Sequence, residues 1–104
     1  MGIPILFGYD VIHGFRTIYP ISLGQAASWN PGLVEDACEV AAQEAFTSGV
    51  NWTFSPMVDV ARDGRWEESV KVMGRSYVNG VFAAASVGGY QGDTLSAKNR
   101  VAAV

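Results

Sequence analysis

The 104 residues include one cysteine, one histidine and few charges. Cys38 cannot form an internal disulfide, and its alanine-rich neighbourhood reads as a place for a small buried thiol rather than a nucleophile or ligand. No cluster of His, Cys, Asp and Glu has metal-ligand spacing, and Gly88-Gly89 follows an expected helix instead of opening one as a phosphate loop would. No metal or other cofactor is therefore expected. Charged residues make up only 16% of the chain, with 7 Lys and Arg against 10 Asp and Glu and no basic cluster. That balance gives no footprint for nucleic acid or an anionic membrane surface. No apolar run approaches the roughly 20 residues of a membrane span.

What is present is a composition rich enough to build a core: 49% hydrophobic and 12% aromatic residues, which argues against disorder. The length suits one small domain but falls short of the ~250 residues of a complete (β/α)8 barrel. Ile3, Ile5, Leu6 and Phe7 form a nearly continuous apolar stretch, the pattern of a strand covered on both faces of a parallel sheet. It ends abruptly in Asp10, His13 and Arg16. Ligands of α/β sheets and barrels bind outside the carboxyl ends of the strands, so these three stand where a site would be.

Residues 10–21 read as a structured loop, pinned by Ile18, Tyr19, Ile21 and Leu23, with Ser22 capping a short helix through Ala26 and Ala27. Asn30-Pro31 is an N-cap followed by proline at the first helical position, and predicts a helix to about Ser48. Val34, Ala37, Cys38, Ala41 and Ala45 form its buried stripe, Glu35 and Asp36 suit its first turn, and Gly49 suits a left-handed residue after its end. A second strand is expected at Val50 to Ser55, anchored by Trp52 and Phe54 and stopped by Pro56. A polar loop from Met57 to Trp66 carries Asp59, Arg62, Asp63 and Arg65. A second helix is expected from about Met73 to Gly88, with Tyr77, Val78, Val81, Phe82, Ala84 and Ala85 on its apolar side and Gly88-Gly89 ending it. A third strand opens within Arg100 to Val104. The fold class is α/β, strand-helix-strand-helix-strand, and the alternation argues for parallel strands with right-handed crossovers.

Three stretches carry a resemblance: Ile-Pro-Ile-Leu-Phe-Gly-Tyr-Asp-Val-Ile-His-Gly, then Arg-Thr-Ile-Tyr-Pro-Ile-Ser-Leu-Gly, then Asn-Trp-Thr-Phe-Ser-Pro-Met-Val-Asp-Val-Ala-Arg-Asp. In order and spacing the chain resembles the amino-terminal barrel of the glycoside hydrolase family 3 enzymes, and looks most like bacterial periplasmic β-glucosidases. The resemblance implies a partial (β/α)8 TIM-type barrel, with residues 1–104 as a single partial domain. It implies a retaining exo-acting β-glucosidase as the parent activity, with a β-glucoside or oligosaccharide as substrate and a periplasmic or extracellular location that this chain does not itself specify.

Asp10 matches the family's aspartate that hydrogen-bonds hydroxyls of the non-reducing sugar, a task suited to a carboxylate accepting two neighbouring protons. Arg16 matches an arginine lining that subsite in some branches, with an ion pair to Asp10 or Asp59 as its structural alternative. Trp66 is the tryptophan placed to stack on a sugar, whereas Trp52 is expected in the core. His13 is expected to orient the loop, since both catalytic groups of the family are carboxylates. The resemblance places those carboxylates beyond position 104, so no catalytic residue is assigned here.

The chain departs from the family after Trp66. The family's sugar-binding arginine falls at Glu68 and its following glutamate at Lys71, which reverses the local charge, and no binding role is transferred to Glu68. The adjacent carboxylates of Glu67 and Glu68 read as a solvated loop edge. The alternative to the hydrolase fragment is a small non-catalytic α/β module that binds sugar or self-associates through exposed partial-barrel edges.

Overall fold

A computed structural model of the chain describes residues 2–66 and 74–104. Its elements in order are strand β1 (Gly8–Tyr9), helix α1 (Ser22–Ala26), helix α2 (Pro31–Thr47), strand β2 (Trp52–Thr53), helix α3 (Ser76–Gln91) and strand β3 (Ala102–Ala103). The strands form one parallel sheet in the order β1-β2-β3, with Gly8 opposite Trp52 and Trp52 opposite Ala102. Each crossover carries a helix, the arrangement that parallel neighbours require. This is an α/β fold built on a parallel sheet.

Helix α2 starts where its sequence says. The Asn30 side chain accepts from the Leu33 N–H, and Pro31 takes the first helical position, where a missing N–H costs nothing. Past its end Gly49 sits at φ 90°, a left-handed conformation that glycine adopts without strain. Val34, Cys38, Ala41, Ala42 and Ala45 are buried and form the core with Val11, Val50, Phe82, Tyr90 and Val101. Glu35 and Asp36 fall one turn later than expected, leaving no acidic residue in the first turn.

Several expectations are corrected. Ile3, Ile5, Leu6 and Phe7 are not a doubly covered strand: they are 60–81% exposed, and the ladder begins only after them. The physical reason is that they precede the paired segment of the strand, and on that segment α2 and α3 cover one face of the sheet. Alternation along β2 divides the residues accordingly, with Thr53 and Ser55 buried towards the helices, while Phe54 is exposed and Trp52 half-buried on the other face. There Trp52 lies across Gly8 and meets Phe54 edge-on, ring centroids 4.5 Å apart. Trp52 is thus not a core residue of this chain. Ile18, Ile21 and Leu23 are also exposed and do not pin the loop. Ser22 does not cap α1: it is the first helical residue, Ile21 holds the cap position, and no side chain caps it.

Helix α3 differs most. It begins at Ser76, and the expected start at Met73 lies outside the described residues. Its buried side is Asn79, Phe82, Ala83, Ser86, Gly89 and Tyr90, whereas Tyr77 is 84% exposed. Gly88-Gly89 does not end it, and the helix continues to Gln91 with Gly92 as its C-cap. The glycines are there for packing. A Cβ on Gly89 would stand 2.3 Å from the Glu35 carbonyl oxygen and 2.7 Å from the Cys38 Cβ, so α3 crosses α2 in backbone contact at this point.

A Gly89→Ala substitution should therefore destabilise the chain by about 1–3 kcal/mol, the usual cost of overpacking, even though alanine is the better helix former. Urea unfolding checks this, and Gly80→Ala is its control, because a Cβ at Gly80 meets nothing within 4 Å.

Candidate functional site

The site is built at the carboxyl end of β1 and β2. Asp10 directly follows Tyr9, the last residue of β1, and is exposed. Because β1 and β2 are parallel neighbours, the loop after β2, which carries Asp59 to Trp66, leaves from the same end. The strand part of that loop turns at Pro56 through a cis Ser55-Pro56 bond.

Three successive peptide planes around Asp10 are each held by a hydrogen bond. The plane before it receives the Phe54 N–H on the Tyr9 carbonyl at 3.2 Å. The plane after it donates the Val11 N–H to Thr53 Oγ1 at 3.2 Å. The next plane presents the Val11 carbonyl to the Tyr90 hydroxyl, which donates to it from α3. Val11 and Thr53 have no exposed surface and Tyr90 is 1% exposed, so these bonds are shielded from water. Burial pushes the Tyr90 phenol far above its ordinary range, which keeps it a neutral donor. Burial also raises the Cys38 thiol, which faces the hydroxyls of Tyr90 and Ser86, as expected of an unreactive buried cysteine.

His13 closes the loop on itself. Its Nδ1 lies 2.9 Å from the Tyr19 carbonyl, while the Tyr19 N–H donates to the His13 carbonyl at 2.8 Å. A carbonyl only accepts, so Nδ1 carries the proton. Arg16 is not brought to Asp10 or Asp59. Its guanidinium donates to Ser48 Oγ at 3.2 Å, past the end of α2 and just ahead of β2, which is the opposite end of the sheet from Asp10. Glu44 accounts for that placement: its carboxylate accepts the backbone N–H groups of Arg16 and Thr17 at 2.8 and 2.9 Å and the Thr17 hydroxyl at 2.7 Å.

In the second loop Asp63 and Arg65 pair at 2.5 Å on the surface, and the Trp66 N–H donates to the Asp63 carbonyl at 3.2 Å. Trp66 is 36% exposed. Asp59 contributes its carbonyl, which accepts from the buried Asn79 amide at 3.0 Å and ties the loop to α3. Glu67, Glu68 and Lys71 lie outside the described residues. Among the described residues no group of His, Cys, Asp and Glu could hold a metal ion, and no helix is long and apolar enough to cross a membrane. Two apolar grooves of about 350 and 380 Å³ flank α1, and Asp10 lines neither. Among the described residues, the carboxyl end of the sheet is thus a polar ledge set apart from both grooves.

Sequence reasoning missed Glu44, Thr53 and Tyr90. Thr53 and Ser55 did carry a signal, as polar residues alternating with Trp52 and Phe54, but the large rings drew the core assignment.

With this geometry in place, residues 1–103 match the Glycosyl hydrolase family 3 N terminal domain. The chain belongs to glycosyl hydrolase family 3. Among the proteins it resembles, the periplasmic beta-glucosidase of Salmonella typhimurium is 44% identical over 91 residues, covering 86% of this chain and 12% of that protein. The beta-xylosidase of Formosa agariphila is 32% identical over 101 residues, covering 78% of this chain and 14% of that protein. Among solved structures, the beta-glucosidase from Listeria innocua in complex with glucose superposes with a TM-score of 0.90 at 39% identity, over 98% of this chain and 15% of its own. The same enzyme, as a mutant, has been solved in complex with laminaribiose. The chain therefore spans about a seventh of the length of these relatives.

The hydrogen bonds from Thr17 and the Arg16 amide hold the Glu44 carboxyl below its ordinary 4.5, those from Thr17 being the largest cause. A depressed folded-state pKa means the contribution is full above the unfolded value and is lost as pH falls through the folded one. Thermal melts of the native chain should therefore fall more steeply below about pH 4.5 than those of Glu44→Gln, which cannot titrate there. Parallel curves would contradict this role for Glu44.

Proposed function

We propose that this chain is the early part of the barrel of a β-glucosidase-like retaining hydrolase, and that it supplies one side of the non-reducing sugar subsite. The observation that carries the reading is Asp10, a carboxylate exposed at the carboxyl end of a parallel sheet on rigidly held backbone. A carboxylate offers two acceptor oxygens to a pair of adjacent sugar hydroxyls, and charge assistance makes each such bond stronger than a neutral one. Trp66, on the loop from the same sheet end, is proposed to offer a ring face to the pyranose. The glucose and laminaribiose complexes of the Listeria innocua enzyme support a glucoside as substrate. Arg16, which donates to Ser48 and whose amide is held by Glu44, braces the loop in this reading and leaves the sugar contact to Asp10.

Retaining hydrolysis needs two carboxyl groups roughly 5–5.5 Å apart across the glycosidic bond. No such pair is assigned among these residues, so the 104-residue chain is proposed to bind sugar without cleaving it. A periplasmic setting is supported by the name of the Salmonella relative. A second reading, self-association of the isolated chain, is favoured by the exposed Ile3, Ile5, Leu6 and Phe7 beside the sheet edge. Size-exclusion chromatography would reveal it as a concentration-dependent shift.

Glucose titrated into the chain and into Asp10→Ala tests the main reading. Loss of two charge-assisted hydrogen bonds should weaken affinity by roughly tenfold or more. Equal affinities, or measurable turnover of an aryl β-glucoside by the isolated chain, would overturn it.

A further inference from the structure

Asp10 has a single residue between it and a buried polar knot on the helix side of the sheet. Thr53 from β2 and Tyr90 from α3 aim their hydroxyls at the N–H and the carbonyl of Val11, and both are almost wholly buried. Neither bond belongs to the sheet ladder, whose register pairs in β1 end at Tyr9. Hydroxyls are an unusual choice for this place. A valine and a phenylalanine would fill the same space, and burying a polar group is costly unless it is bonded. The Val11 N–H and carbonyl would then be left as orphan groups in the core. The hydroxyls therefore act as ladder substitutes at Val11, two residues beyond the last paired residue of the strand.

We propose that Thr53 and Tyr90 are positioning residues for sugar recognition: by fixing the peptide planes after Asp10 they set the direction of its carboxylate. This rests on the reading of Asp10 as the sugar contact. The Val11 N–H belongs to the peptide plane that fixes ψ of Asp10, and the Phe54 N–H on the Tyr9 carbonyl fixes the plane on its other side. With both planes fixed, the backbone around Asp10 has little conformational freedom left to lose when the carboxylate meets two hydroxyls. Tyr90 owes its own place to the close crossing at Gly89, its neighbour in α3. Through Gly89 the packing of two helices reaches the ledge on which Asp10 stands.

The test uses the 104-residue chain, glucose as the probe, and Tyr90→Phe, Thr53→Val and Thr53→Ser, with Ala45→Gly as a destabilised core variant that leaves both hydroxyls in place. Glucose affinity is followed by amide chemical shifts, together with thermal melts and hydrogen exchange of the Val11 amide. Tyr90→Phe and Thr53→Val should each weaken glucose binding by about three- to tenfold, the equivalent of one lost hydrogen bond. Thr53→Ser, which keeps the hydroxyl, should restore it. Ala45→Gly should lower the melting temperature while leaving affinity within twofold. If Tyr90→Phe and Thr53→Val behave like Ala45→Gly, stability falling and affinity unchanged, the positioning role is overturned. If the native chain shows no glucose-dependent shifts, the sugar reading has failed, and the clamp is judged on exchange alone. Faster Val11 exchange in both hydroxyl-deleting variants, with protection returned by Thr53→Ser, then upholds the clamp, and unchanged exchange overturns it.

Discussion

Helix α3 can lie in backbone contact with α2 only because Gly89 has no side chain, and the geometry of the sheet's carboxyl end depends on that crossing. The Glu35 carbonyl and the Cys38 Cβ occupy the space where a Cβ of Gly89 would stand. The next residue along α3, Tyr90, is thereby seated deep enough for its hydroxyl to reach the Val11 carbonyl across the core. Small residues along α2, Ala41, Ala42 and Ala45, are likewise buried in the core. Packing of this density turns one missing methyl group into a condition on the position of a carboxylate two elements away.

The division of labour between the two faces of the sheet follows. Towards the helices Thr53 of β2 and Ser55 just after it present hydroxyls, which serve the Val11 backbone and the Tyr90 phenol respectively. On the other face Trp52 and Phe54 stack edge-to-face over Gly8, whose lack of a side chain admits the indole. A membership in glycosyl hydrolase family 3, with a chain spanning about a seventh of its relatives, fits a unit whose apolar surface extends beyond its own helices. At the lower edge Glu44 gathers the loop after β1, so Arg16 points to Ser48 while Asp10 remains at the upper edge.

Much of this was legible where the cause is local. Asn30-Pro31 and Gly49 mark the ends of α2 through capping chemistry that needs no tertiary context, and the alternation of strand and helix carries the parallel sheet. Asp10 was legible because it ends an apolar run, and the family resemblance gave it a role. The misreadings share a physical origin, in that the deciding partner is distant in sequence. Gly88-Gly89 has the form of a stop signal, and only the backbone of α2 shows it to be a packing device. Helix α3 is apolar on nearly every side, so its periodicity did not identify the stripe through Asn79, Ser86 and Tyr90. Trp52 reads as core by residue type, yet strand parity turns it away from the helices. Nothing near Arg16 announces Glu44, which lies 28 residues further on. Glu68 and Lys71 lie outside the described residues.

The central claim is that recognition is concentrated on the ledge at the carboxyl end of β1 and β2, rather than in the apolar grooves beside α1. An amide chemical-shift map of the 104-residue chain titrated with glucose tests it directly. The account predicts that the responding amides cluster at Tyr9 to Ile12 and along the loop to Trp66. Shifts centred instead on the residues lining the grooves, such as Gly24, Ser28 and Val40, would contradict it.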